Sequence, residues 1–162
     1  MKNLIPTLAV VALCYACSPT TLKNTDQTVA VTTSALVTTL KVSPKANGTN
    51  HPVLKFTVKN QADTAASFCK WHTPFEPLLS KYLDITDPEG KDVDYKGAMA
   101  KRIMPPPADS YMRINPGDSL TVDIDLLKGY AIDKPGAYTV KYSGTNMSGL
   151  SVQDSIKVDF KP

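Results

Sequence analysis

The stretch Ser119-Leu120-Thr121-Val122-Asp123-Ile124-Asp125-Leu126 decides the fold. Apolar residues occupy every second position, with serine, threonine and two aspartates between them. An extended chain sends successive side chains to opposite faces, so Leu120, Val122, Ile124 and Leu126 share a buried face while Asp123 and Asp125 meet water. Upstream, Asn115-Pro116-Gly117-Asp118 is a turn: proline presets φ and glycine accepts a positive one. Downstream, Leu126–Tyr130 reads as one helical turn. Lys134-Pro135-Gly136 then turns the chain into Ala137-Tyr138-Thr139-Val140-Lys141-Tyr142.

The same rhythm continues in both directions. Leu36–Val42, Val53–Val58, Ala66–Trp71, Tyr82–Thr86, Tyr111–Ile114 and Asp154–Phe160 read as strands, and Val93-Asp94-Tyr95 resumes pairing after the turn Asp87-Pro88-Glu89-Gly90. With 13 Pro and 8 Gly, the chain has many short elements and little room for helix. About seven to nine strands with turn signals roughly every ten residues predict an all-β, Ig-like antiparallel β-sandwich of two sheets. Tyr138, near the start of a late strand after Pro135-Gly136, resembles the tyrosine corner of such sandwiches. Hydrophobic residues make up 42% of the chain, enough for a core. The net charge of +3 is scattered, which argues against nucleic acid as a partner.

The N-terminus is of another kind. Met1-Lys2-Asn3 precedes an apolar run from Leu4 to Ala16, too short for a bilayer span of about 20 residues but fitting a signal peptide. The run closes on Cys14-Tyr15-Ala16-Cys17. A small residue before a cysteine at that place resembles the lipobox of bacterial lipoproteins, although Cys14 stands where leucine is usual. The resemblance implies cleavage after Ala16, a lipid on Cys17, and a protein held at the bacterial cell envelope, facing the periplasm or on the cell surface. Residues 17–34 then read as a polar tether reaching roughly 20–25 Å, and 35–162 as the sandwich. Cys69 is left without an intramolecular disulfide partner and reads as a buried small hydrophobe.

An ordered series carries a second resemblance: Lys70-Trp71-His72-Thr73-Pro74-Phe75-Glu76, Leu83-Asp84-Ile85, Val93-Asp94-Tyr95-Lys96-Gly97, Lys101-Arg102, Asp109-Ser110-Tyr111 and Lys134-Pro135-Gly136-Ala137-Tyr138. From about Leu36 to Tyr142 it resembles the N-terminal, propeptide-type β-sandwich of bacterial deuterolysin-like metalloendopeptidases, the aspzincins, which include peptidyl-Lys endopeptidases. That resemblance implies a module that packs on a protease. The proteases hold zinc on a His-Glu-x-x-His helix, whereas this chain has His51 and His72, neither followed by Glu. A catalytic zinc needs about three protein ligands. The expectation is therefore the accessory domain alone: no enzyme, no metal, no cofactor.

Two segments stand out as surfaces for a protein partner. One is the loop Thr73–Ser80, whose Pro74, Phe75, Pro77, Leu78 and Leu79 are too apolar for idle solvent, together with Trp71 and His72 just before it, the plainer reading of His72 being a hydrogen bond to loop backbone. The other is Lys101, Arg102, Met104, Pro105 and Pro106, a polyproline-like stretch that would lose little entropy on docking. For Trp71 a core position is the plainer reading, and for the Thr73–Ser80 loop a fold over a sheet edge. The acidic residues around Asp87 are explained by turn chemistry. Two function classes remain: a protein-binding envelope lipoprotein, with a secreted metalloprotease as candidate partner to inhibit or chaperone, and a structural or carbohydrate-binding envelope module.

Overall fold

A computed structural model describes residues 35–44, 51–76 and 78–161. The signal peptide read at 1–16, the lipid on Cys17 and the tether at 17–34 lie outside the described residues. Within them are eight strands: β1 (Leu36–Val42), β2 (Val53–Asn60), β3 (Ala66–Cys69), β4 (Leu83–Thr86), β5 (Tyr111–Ile114), β6 (Ser119–Asp125), β7 (Gly136–Tyr142) and β8 (Ile156–Phe160). All pairing between them is antiparallel. The sheets are β1-β2-β6, β4-β7-β8 and a two-stranded ribbon, β3-β5. The all-β, Ig-like reading holds, but the strands form three sheets where two were expected. The ribbon docks onto β2 through Asn60, which is fully buried. Its Nδ2 donates to the carbonyls of Ile114 (3.0 Å) and Thr64 (2.8 Å), and its Oδ1 accepts from Ala62 N–H (3.0 Å).

Register follows from the alternation. Leu40, Phe56 and Val122 lie abreast across β1, β2 and β6, facing the core. The neighbouring row Thr39, Thr57 and Thr121 faces solvent, where Thr57 and Thr121 hydroxyls meet at 3.0 Å. A slip of one residue would exchange the rows and bury the threonines. Ile85, Val140 and Ile156 form the corresponding apolar row of β4-β7-β8. Between the sheets Phe56 lies 5.0 Å from Tyr142, ring centre to ring centre.

Several elements differ from expectation. Strand β3 stops at Cys69, because Thr73 donates both its hydroxyl (2.6 Å) and its N–H (3.2 Å) to the Lys70 carbonyl and turns the chain. Val93–Tyr95 makes no strand; single bridges join Thr86 to Asp92 and Tyr95 to Tyr130. Strand β6 ends at Asp125, whose carboxylate accepts from Leu127 N–H at 3.1 Å and so caps α1 (Leu126–Gly129), the helical turn read from sequence. A second short helix, α2 (Thr145–Ser148), was not foreseen; it closes on Gly149 at φ 71°. Tyr138 does form the corner: its hydroxyl donates to Lys134 O (2.8 Å) and accepts from Lys134 N–H (3.3 Å).

Candidate functional site

Two loops meet beside the β3-β5 ribbon, and they hold all the residues read from sequence as a surface for a protein partner. The first begins at the turn after β3. Thr73 organises it: besides its bonds to Lys70, it accepts from Phe75 N–H at 3.2 Å, and its carbonyl accepts from Glu76 N–H at 3.1 Å. This knot turns the loop inward. Trp71, Thr73, Pro74 and Glu76 are buried, and Phe75 packs 5.5 Å from Phe68 and 6.0 Å from Phe56. His72 takes a left-handed φ of 57°. Its carbonyl accepts from the Tyr142 hydroxyl at 3.4 Å and lies so close to Gly144 that an added Cβ would sit 2.0 Å from it. The backbone of His72 thus ties the loop to the end of β7, and its ring is half-buried.

The second loop, residues 96–107, runs alongside. Ala98 N–H donates to Leu78 O and Ala100 N–H to Leu79 O, each at 2.9 Å. Tyr95 donates its hydroxyl to Ala98 O at 3.2 Å, and Gly97 leaves room for that ring. Arg102 is the cross-link. Its guanidinium lies 4.7 Å from the centre of the Trp71 ring and forms an ion pair with the Glu76 carboxylate. The two charged side chains keep 18% and 10% of their surface. Cation–π attraction strengthens as water is removed, and the planar guanidinium suits both ring and carboxylate. The Arg102–Trp71–Glu76 cluster locks one loop to the other.

What remains outward is apolar. Ile103 keeps 84% of its surface, Met99 68% and Met104 63%, with Leu79 also exposed. Lys101 and Pro105 are exposed and Pro106 is half-buried. The proline run is not one uniform rod: the chain bends at Met104-Pro105, and polyproline II angles appear at Pro107 (φ −67°, ψ 161°) before a 3-10 turn at Ala108–Ser110. The structure therefore brings Trp71 and Arg102 together, facing inward. It leaves Lys101, Met104 and Pro105 outward, joined by Ile103 of the same stretch and by Met99, which was not singled out. A large apolar residue two places from a cation, in a loop without alternation, was the signal for Met99.

Elsewhere the polar chemistry is absorbed by the fold. Asp87 Oδ1 accepts from Glu89 N–H (3.0 Å) and Lys91 N–H (2.8 Å), which with the Lys134 charge nearby lowers the Asp87 pKa; Asp84 pairs with Lys81 at 2.8 Å. Ser148 Oγ donates to Gly144 O at 2.9 Å and accepts from Leu150 N–H at 3.1 Å, closing α2. Cys69 is buried and free. Burial pushes the hydroxyls of Tyr82 and Tyr142 up to about 12, and that of Tyr130 higher still. Among the described residues, no three His, Cys, Asp or Glu side chains converge as metal ligands.

Paired β-sheets closed by a tyrosine corner place the chain in a known class. It belongs to the immunoglobulin-like domain family, whose model matches residues 39–157. It is also similar to an extracellular protease of Aeromonas hydrophila: 30% identity over 92 residues, covering 55% of this chain. The chain spans about a quarter of that protease (25%).

Proposed function

We propose that this chain is a non-catalytic, lipid-anchored envelope protein that binds another polypeptide through the 99–105 ridge. Its partner is a secreted metalloprotease of the deuterolysin-like kind. The observation that carries this reading is the ridge itself: Met99, Ile103 and Met104 stay exposed on a loop whose base is fixed by Arg102, Trp71 and Glu76. Holding three large apolar side chains in water is unfavourable unless a partner covers them, and a pre-ordered loop loses little entropy on docking. Methionine also adapts its shape to a partner surface. The likeness to an extracellular protease supports the choice of partner. A sugar-binding role would want several exposed rings on one face. Among the described residues Tyr111 is the one strongly exposed Phe, Tyr or Trp ring, while Tyr82, Tyr130, Tyr138 and Tyr142 are buried and Trp71 lies beneath Arg102, which weighs against it.

Arg102 and Trp71 act as positioning residues, and Lys101 supplies charge at the rim. The test is affinity capture of a purified, catalytically silenced aspzincin by the wild-type protein and by the Ile103→Asp, Met104→Asp double variant. The expected result is retention by wild type and loss in the variant; equal retention by both overturns the ridge as the site. Location is tested by metabolic lipid labelling, with label and membrane retention expected to vanish in Cys17→Ala. A steady peptidase activity of the purified protein, lost with a substitution in its own sequence, would overturn the non-catalytic reading.

A further inference from the structure

The two larger sheets treat outward charge differently. On β4-β7-β8 the outward residues pair across strands as Asp84 with Lys141, Thr86 with Thr139, Thr139 with Lys157 and Ala137 with Asp159. Every charge there faces an opposite or a neutral neighbour. On β1-β2-β6 the outward rows are Val37-Lys59-Ser119, Thr39-Thr57-Thr121 and Lys41-Lys55-Asp123. Lys41 thus stands directly opposite Lys55, with Cβ atoms about 5 Å apart, an arrangement that lowers stability by repulsion. Lys59 follows on the same face of β2. Lys41 and Lys59 are exposed and Lys55 is half-buried. None of the three forms an ion pair among the described residues. Asp123, the acid of these rows, lies beyond Lys55 and meets Ser43 at 3.5 Å.

The usual structural reason for a lysine on a sheet covers only part of this face. On an edge strand lysine deters pairing with another sheet, which suits Lys41. Strand β2, however, lies between β1 and β6 with both its edges paired, so Lys55 and Lys59 guard no edge. Between the lysines runs the threonine row, where Thr39 and Thr121 are exposed and the Thr57 and Thr121 hydroxyls meet at 3.0 Å. The face therefore offers three cations and a line of hydroxyls, and it carries no aromatic ring. That chemistry suits an anionic surface better than a protein hot spot, which is built on buried rings and apolar anchors.

We propose that the outward face of β1-β2-β6 docks on an anionic lipid surface, its lysines meeting headgroup phosphates and its threonine hydroxyls donating beside them. A phosphate between Lys41 and Lys55 turns their repulsion into attraction to a shared partner. The inference rests on the lipid-anchored reading above. On that reading a lipid at Cys17 keeps the domain within roughly 20–25 Å of the headgroups, the reach of a polar chain as long as residues 17–34. At such a high effective concentration a weak electrostatic contact is enough to set which side of the domain lies on the membrane. The 99–105 ridge is a separate, apolar surface and stays with the protein partner.

The test uses the mature chain from residue 17 carrying Cys17→Ala. It bears no lipid, so the outcome does not depend on acylation, which the lipid labelling reads separately. The protein is sedimented at low ionic strength with vesicles of phosphatidylcholine alone and of equal parts phosphatidylcholine and phosphatidylglycerol. The expected result is binding to the anionic vesicles about a hundredfold tighter than to the neutral ones, weakening as salt is added. The triple variant Lys41→Gln, Lys55→Gln, Lys59→Gln should lose about fivefold per lysine and so most of that preference. Lys91→Gln, Lys141→Gln, Lys157→Gln, a triple variant of the same net charge, should retain wild-type binding within about threefold. In NMR spectra a lipid with a paramagnetic headgroup should broaden the amide signals of Thr39, Lys55 and Thr57 first. Equal binding to both kinds of vesicle, equal losses in the two triple variants, or broadening centred on Met99–Met104 would each overturn the proposal. Failed vesicle binding with an acylated Cys17 overturns this face alone, and vesicle binding with an unacylated Cys17 overturns the anchor alone.

Discussion

The Thr73–Ser80 and Lys101–Pro107 loops have much the same composition, apolar residues mixed with proline, yet the fold treats them oppositely. In the first, Pro74 is buried and Phe75 packs on Phe56 and Phe68. In the second, Ile103 and Met104 stand in solvent. The difference lies in a few polar contacts. Thr73 ties the first loop into a knot that points Phe75 at the core. Arg102 reaches from the second loop to Glu76 and Trp71 and so turns its neighbours, Lys101 and Ile103, outward. Composition says that a loop is unusual; which way it faces depends on where its polar anchors find partners.

Breaking the anchor should have the largest effect. Arg102→Ala leaves the Glu76 carboxylate buried without its cation and uncovers Trp71, so a loss of about 3–5 kcal/mol in unfolding free energy is expected from chemical denaturation. Arg102→Lys keeps the charge but not the planar fork, and should fall between wild type and Arg102→Ala. Phe75→Ala removes a partly buried ring from the core side of the first loop, with an expected cost of about 2–4 kcal/mol. Asn60→Ala strips the bonds that join β2 to the ribbon and should cost about 1–3 kcal/mol. The exposed side of the comparison should be nearly silent: Ile103→Ser and Met104→Ser are expected to change stability by no more than about 0.5 kcal/mol while reducing partner binding.

Alkali gives a milder probe of the core. Tyr82 and Tyr142 hold their protons to about 12, mainly through burial, whereas unfolded tyrosine ionises near 10. The folded state therefore binds more protons than the unfolded state between those values. The stability from neutral buried tyrosine is complete below about pH 10 and declines as pH rises toward 12. Denaturation midpoints measured across that range should fall steadily, with tyrosinate absorbance appearing together with unfolding.

Much of the fold was legible because alternation records burial directly. Strands β1 and β5 match their expected limits, and β6 ends one residue early because Asp125 was needed as a cap. The Tyr138 corner was legible from its place after Pro135-Gly136. What alternation does not encode was missed. Nothing in the alternation marks Asn60, a polar residue at the end of β2, as the one whose amide satisfies a buried junction between sheets. Trp71 sits one turn beyond the strand it was assigned to, because Thr73 stops that strand. Met99 lay outside the expected surface, and Arg102, expected within it, is used by the fold internally.

The claim that the outward loop is the docking surface is tested most directly by site-specific photocrosslinking in cells. A photoreactive side chain is placed at Met104, at Phe75 and, as a control on the outer face of β2, at Lys55. The account predicts a discrete adduct with a secreted metalloprotease from Met104 and none from Phe75 or Lys55. Adducts of equal yield from Lys55, or a Met104 position that captures no protease while Phe75 does, would contradict it.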